Sequence, residues 1–339
     1  MLLNTSANKK KKAKYACKAF TTLLLLLVIL LLITIIFVPG CRPRYQSISL
    51  KPKDDTDLAT APTPHYKPQS EHSFSEDTLP LRLAIAPVLS PPRTRESYQG
   101  LILYLSDKLG QPVELIIRST YAEINQLIKH NQVDVALVCA WTYVEQKENG
   151  SISLLAVPQI NGKTQNNSLL IVNKKSGAGS LADLRHHSFV FTDPLSFTGR
   201  LYTLYLLAQM DENPDTFFAD VFYSYSNDNS IIAVAEGWVD AAAVDSHVYE
   251  FIAAESGYDL EDKVLVIDTS PPVGNPPLVI SNKVPEELHQ KLKEIFLNMH
   301  SDEEGKKVLA KMKVNRFVEG DNQDYQFVRQ VMKAMEGRF

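Results

Sequence analysis

Residues 188–199 read Ser188-Phe189-Val190-Phe191-Thr192-Asp193-Pro194-Leu195-Ser196-Phe197-Thr198-Gly199. The first five favour a short strand, and Asp193-Pro194 ends it. Ser196 or Thr198 is placed to cap a following helix, predicted over 198–210, whose first N–H groups have no partner within the helix. Those donors and the helix dipole suit an anion. Taken alone, the corner is better read as an ordinary helix cap.

The same alternation continues on both sides. Upstream, strands are predicted at 81–87, 113–118 and 133–138, with helices at 95–109 and 121–130, the first stopped by Gly110. Two more strands follow at 152–157 and 169–172. Downstream, strands at 220–225, 240–244, 264–267 and 278–281 alternate with helices at 230–238 and 247–255. Helices at 285–299, 302–312 and 324–335 close the chain. A βαβαβ order implies parallel sheets with right-handed crossovers. Two such sets imply two lobes, with ligands bound beyond the carboxyl ends of the strands. Three more corners offer chemistry there. Ser224–Ser230 carries several capping side chains around Asn227. Cys139–Tyr143 places Trp141 and Tyr143 just past a strand, to wall a pocket or to fill the core. Asp245 ends a strand and is also suited to cap the next helix.

The chain has 339 residues and a net charge of −4. Six lysines and no acid fall in residues 1–18, which leaves 29 basic and 39 acidic side chains in the remainder. An acidic body argues against nucleic-acid binding. Three cysteines form no disulfide framework, and no metal-ligand spacing occurs. Gly177–Ala182 loosely matches a dinucleotide loop, but Asn173–Ser176 separates it from its strand. No nucleophile elbow or zinc-protease motif is present.

Ala19–Val38 is apolar, long enough for one bilayer core, and preceded by the lysines. Val38-Pro39-Gly40-Cys41 resembles a lipobox, so Cys41 is a candidate for lipidation; an uncleaved transmembrane anchor is the alternative. Either places residues 42–339 outside the cytoplasm, in a periplasmic or other extracytoplasmic setting. Residues 1–40 thus form a leader with a signal or anchor segment, and 41–80 a Pro-rich disordered linker.

Val133-Asp134-Val135-Ala136 with Tyr143, the 191–199 stretch, and Ala233–Ser246 (AVAEGWVDAAAVDS) together resemble one family. It is the PhnD-like phosphate, phosphite and phosphonate substrate-binding proteins of ABC transporters. The resemblance implies an α/β, two-lobed type II periplasmic-binding-protein fold with a ligand cleft and a two-stranded hinge. Lobe 1 would be 81–167 with 273–339, and lobe 2 would be 168–272. It implies a non-enzymatic, cofactor-free, mostly monomeric binding protein that delivers a small oxyanion to a permease. By the resemblance Tyr121, Tyr143, Ser196 and Thr198 would hold the oxyanion; Trp141 and Asp245, read from their own corners, are further candidates. Phe197 stands where the family has a hydroxyl, Asn227 where phosphonate binders have an imidazole, and Asn275 where some members have Asp. Two charge-sensitive contacts are thereby lost, so the pocket should bind phosphonate weakly or favour a flatter, less charged ligand. A membrane-tethered sensor on the same fold, signalling to a kinase or other partner, is the competing expectation.

Overall fold

The computed structural model describes residues 79–255 and 257–338. The apolar run, Cys41 and the linker up to residue 78 lie outside the described residues. Among the described residues no helix is long and apolar enough to cross a membrane.

In chain order the main elements are β1 (Leu81–Ile85), α1 (Pro91–Leu109), β2 (Val113–Ile117), α2 (Tyr121–Lys129), β3 (Val135–Leu137), α3 (Ala140–Glu148) and β4 (Ile152–Gln159). Then come β5 (Gln165–Asn166), β6 (Ser168–Asn173), β7 (Ser188–Phe191), a π-helical turn (Phe197–Leu201), α4 (Tyr202–Gln209), α5 (Pro214–Phe217), β8 (Asp220–Tyr223), α6 (Asn227–Ala235), β9 (Ala241–Asp245) and α7 (Ser246–Ala253). The chain ends with α8 (Leu260–Lys263), β10 (Val264–Thr269), β11 (Val273–Gly274), β12 (Leu278–Ser281), α9 (Glu286–Asn298), α10 (Glu303–Met312), β13 (Arg316–Val318) and α11 (Gln326–Ala334).

Among the described residues the strands form two large sheets. One has the order β13-β4-β12-β3-β1-β2, the other β10-β6-β9-β7-β8. The expected parallel pairing holds at the centre of each: β1 with β2 and β3, and β7 with β8 and β9. Both sheets are mixed rather than wholly parallel. β12 runs antiparallel to β3 and β4, and β6 antiparallel to β9 and β10. The physical reason is topological: β12 and β6 enter from the other sheet and so need no helical crossover. The chain passes between the sheets twice, and β5 and β11 pair antiparallel in those crossings.

Side-chain alternation fixes which face each strand buries. On β9, Ala241 and Ala243 join one apolar cluster while Ala242 and Val244 join another. On β1, Leu83 and Ile85 pack on one face and Ala84 on the other. Both faces are covered, so the strands read as continuous apolar runs. α11 carries Phe327, whose ring meets Phe197 at 6.1 Å and Tyr202 at 6.2 Å.

Candidate functional site

The corner after β7 is closed by its own residues. Ser196 Oγ accepts from Gly199 N (2.9 Å), Asp193 Oδ1 accepts from Leu195 N (2.8 Å), and Ser168 Oγ donates to the Thr198 carbonyl (2.5 Å). The helix expected from Thr198 therefore begins one residue earlier, as a π-helical turn. Gly199 is required by close approach: a Cβ there would sit 1.7 Å from Thr192 Oγ1.

The corner before α6 is closed across the cleft. Ser226 occupies the cap position, but its side chain makes no capping bond. Instead Asn227 N and Nδ2 both donate to the Val88 carbonyl (3.1 and 2.9 Å), and Asn227 Oδ1 accepts from Asp245 N (2.9 Å). Asp228, itself buried, accepts from Ser90 N (2.8 Å) and Ser90 Oγ (2.6 Å) and lies 3.3 Å from Arg93 Nε. Arg93 grips Glu255 at 2.6 and 2.9 Å. Two further bonds cross from the 193–196 corner: Tyr121 N donates to Asp193 Oδ2 (3.0 Å), and Cys139 Sγ lies 3.3 Å from the Leu195 carbonyl.

Between these corners lies a cavity of about 10 Å³, room for roughly one water-sized group. Tyr121, Phe197, Thr198, Asn227 and Asp245 line it, as do Val88, Cys139 and Asn166. No Lys, Arg or His is on its wall. The groups able to donate there are neutral: the Tyr121 and Thr198 hydroxyls, the Asn166 amide and nearby helix starts. Asp245 accepts from His247 N and Val248 N as the cap of α7, and from Asn166 Nδ2. Burial nevertheless raises its carboxyl above the ordinary range, and it does the same to Asp193. Burial also pushes the Tyr121 phenol well up, against the pull of its hydrogen bond with Ser196. Asn166 Oδ1 has no hydrogen-bond partner.

Of the sequence candidates, Tyr121, Phe197, Thr198, Asn227 and Asp245 meet on this wall, and Ser196 adjoins it through Tyr121. The other three lie elsewhere. The Tyr143 hydroxyl donates to Asn322 Oδ1 (3.1 Å) and accepts from Lys147 Nζ (3.1 Å), with its ring 4.5 Å from that of Tyr325. Trp141 packs into the core from α3. Asn275 ties the crossing segments together, with Nδ2 donating to the Pro158 (2.9 Å) and Lys163 (3.1 Å) carbonyls. Val88, Asn166 and Cys139 were not expected here. Their sequence signals are those of a strand end, a turn and a core thiol, and only the folded chain brings them together.

Two α/β lobes, two crossing strands and a polar space where helix starts converge define a cleft-type binding protein of type II periplasmic architecture. Residues 83–325 match the family described as ABC transporter, phosphonate, periplasmic substrate-binding protein. The chain belongs to that family. It is 27% identical over 215 residues to the phosphonates-binding periplasmic protein of Escherichia coli (strain K12), an alignment covering 61% of this chain and 62% of that protein. The fold is similar to the crystal structure of a binding protein component of an ABC phosphonate transporter from Pseudomonas aeruginosa. There the TM-score is 0.69 and the identity 26%, over 75% of this chain and 86% of that one. It is also similar to PhnD1 of Prochlorococcus marinus in complex with methylphosphonate, with TM-score 0.67 and 19% identity over 75% of this chain and 97% of that one.

Proposed function

We propose that this protein captures a small phosphorus oxyanion, such as phosphate, phosphite or a phosphonate, outside the cytoplasm and hands it to an ABC permease. The observation that carries this reading is the convergence of Tyr121, Thr198, Asn166 and helix starts from both lobes on one enclosed polar space. Neutral donors aimed at one point hold an oxyanion without a counter-charge. In this reading Tyr121, Ser196, Thr198 and Asn227 hold the head group, with Asp245 beside it, while Trp141, Tyr143 and Asn275 support the cleft from behind. A tetrahedral head is larger than the present space, so the lobes part to admit it by a hinge motion at β5 and β11. Lobe 1 comprises 81–167 with 273–339, and lobe 2 comprises 168–272. The N-terminal segment tethers the protein to the membrane, by lipid at Cys41 or as an uncleaved anchor, and the protein works as a monomer.

Thermal-shift titration of the purified protein tests the reading. The panel is phosphate, phosphite, methylphosphonate, aminoethylphosphonate, sulfate and amino acids. A ligand at 100 times its Kd adds about 2.7 kcal/mol of stability. Stabilisation by one phosphorus compound at micromolar levels is the expected result. Silence from all of them, with a hit among the other solutes, overturns the oxyanion assignment.

A further inference from the structure

After β13 of the first sheet the chain makes a 3-10 turn at Asn322–Tyr325 and continues into α11. This last stretch lies against elements of both sheets. Its turn grips the crossing strands: the Tyr325 hydroxyl donates to the Asn275 carbonyl (2.8 Å), and Asp324 Oδ1 accepts from Gln165 Nε2 (2.8 Å). The Tyr325 ring lies so close to β11 that a Cβ on Gly274 would meet it at 2.5 Å. α11 then packs on α3, which follows β3 of the first sheet, and on α4, which follows β7 of the second. From α11, Phe327 enters a nest of three rings carried by the π-helical turn and α4. Its centroid is 6.1 Å from Phe197, 6.2 Å from Tyr202 and 6.4 Å from Tyr205, with interplanar angles of 83°, 60° and 87°. Tilted and edge-to-face pairs of this kind hold ring positions more firmly than burial alone.

Phe197 is the ring on the wall of the polar cavity, and Phe327 itself lies off that wall. Phe197 also opens the π-helical turn, whose first N–H groups have no partner within the helix. Its ring is fully buried. Where that ring is seated therefore fixes the backbone that carries it, and with it the direction of those donors. We infer that Phe327 is a positioning residue for solute binding, a role that rests on the reading of the polar cavity as the head-group site. From outside the cleft it seats the Phe197 ring and so aims the donors at the start of the 197–201 turn. The ring that stands in place of a hydroxyl at 197 thus has its counterpart in α11, 130 residues further along the chain.

Two measurements on the purified protein test the inference: calorimetric titration with methylphosphonate, phosphite and phosphate, and hydrogen exchange without ligand. Phe327→Ala should weaken binding about fivefold, the worth of roughly one aromatic pair, and speed exchange at residues 197–201 by a similar factor. Phe327→Tyr keeps the ring and should keep wild-type values in both. In a Phe197→Thr background there is no ring to seat, so Phe327→Ala should change affinity no further. A merely structural role for Phe327 would instead lower affinity by the same factor in both backgrounds. Should Phe327→Ala or Phe197→Thr fail to fold, Phe327→Leu or Phe197→Leu takes its place. Unchanged exchange and affinity in Phe327→Ala overturn the inference, as do faster exchange with unchanged affinity and equal losses in the two backgrounds. If the wild type binds none of the three anions, the oxyanion reading falls by itself. Exchange then decides the seating: faster exchange in Phe327→Ala upholds it, and wild-type exchange overturns it.

Discussion

Two strand-to-helix corners of the second lobe face the cleft, and they are finished differently. The caps of the 193–199 corner come from its own lobe: Ser196 caps Gly199, Asp193 caps Leu195, and Ser168 holds the Thr198 carbonyl, while Tyr121 N and Cys139 Sγ reach Asp193 and the Leu195 carbonyl from the other lobe. The 224–230 corner has an idle cap in Ser226, and its donors run to Val88 while Asp228 reaches Ser90. The first corner therefore keeps its caps without the other lobe. The second makes its main bonds only when the lobes meet, which makes it the more sensitive of the two to lobe closure.

Phe197→Thr probes the first corner most severely. Removing a fully buried ring costs about 3 kcal/mol, seen as a lower Tm. The hydroxyl it introduces should tighten methylphosphonate binding roughly tenfold. Unchanged or weaker binding would show that position 197 does not reach the head group.

Gly199→Ala tests whether that corner is as tightly closed as the geometry implies. The new methyl group collides with Thr192, and a loss of about 2 kcal/mol is expected. A wild-type melting curve would mean that the turn has slack, and the contrast between the corners would weaken.

Asp228→Asn addresses the second corner. It removes the charge that faces Ser90 and Arg93 across the cleft. The expected loss is about 1–2 kcal/mol, and small-angle scattering should show a larger radius of gyration as the lobes part. A stability loss without expansion would make Asp228 an ordinary buried acceptor rather than a latch.

Cys139 should give the smallest response. Burial pushes its thiol up to about 11, so it stays protonated at pH 8 and is a poor nucleophile. The sign follows for stability as well: ionisation disfavours the fold, so stability from this group is present below the ordinary thiol pKa of about 8.5 and declines as pH rises toward 11. Peptide mapping after brief iodoacetamide treatment should find Cys139 unmodified until denaturant is added. Rapid labelling in the native protein would mean that the cleft opens widely and often.

Much of this arrangement was legible in the residues. Gly110 ends α1 in the left-handed conformation, as its position suggested. Ser196 caps the turn after β7, and Asp245 caps α7. In each case the signal and its partner lie within a few residues of one another. Where reading failed, the partner was distant. α1 starts four residues early, at Pro91, because proline suits the first turn of a helix. α6 starts three residues early because Val88 supplies an acceptor that no local pattern announces. The antiparallel strands β6 and β12 were expected as strands, but their direction follows from the path of the chain between the sheets.

The sequence by itself determined the alternation of strands and helices, the caps built from neighbouring residues, and the family to which the chain belongs. Those depend on periodicity, turn chemistry and short motifs, all of them local. Only the tertiary structure decided that Tyr143 and Asn275 lie off the small cavity and that Asn166 and Cys139 lie on its wall. Each of those facts depends on which residues far apart in the chain come within a few ångströms of one another. Packing between the two lobes sets that distance, and no local pattern encodes it.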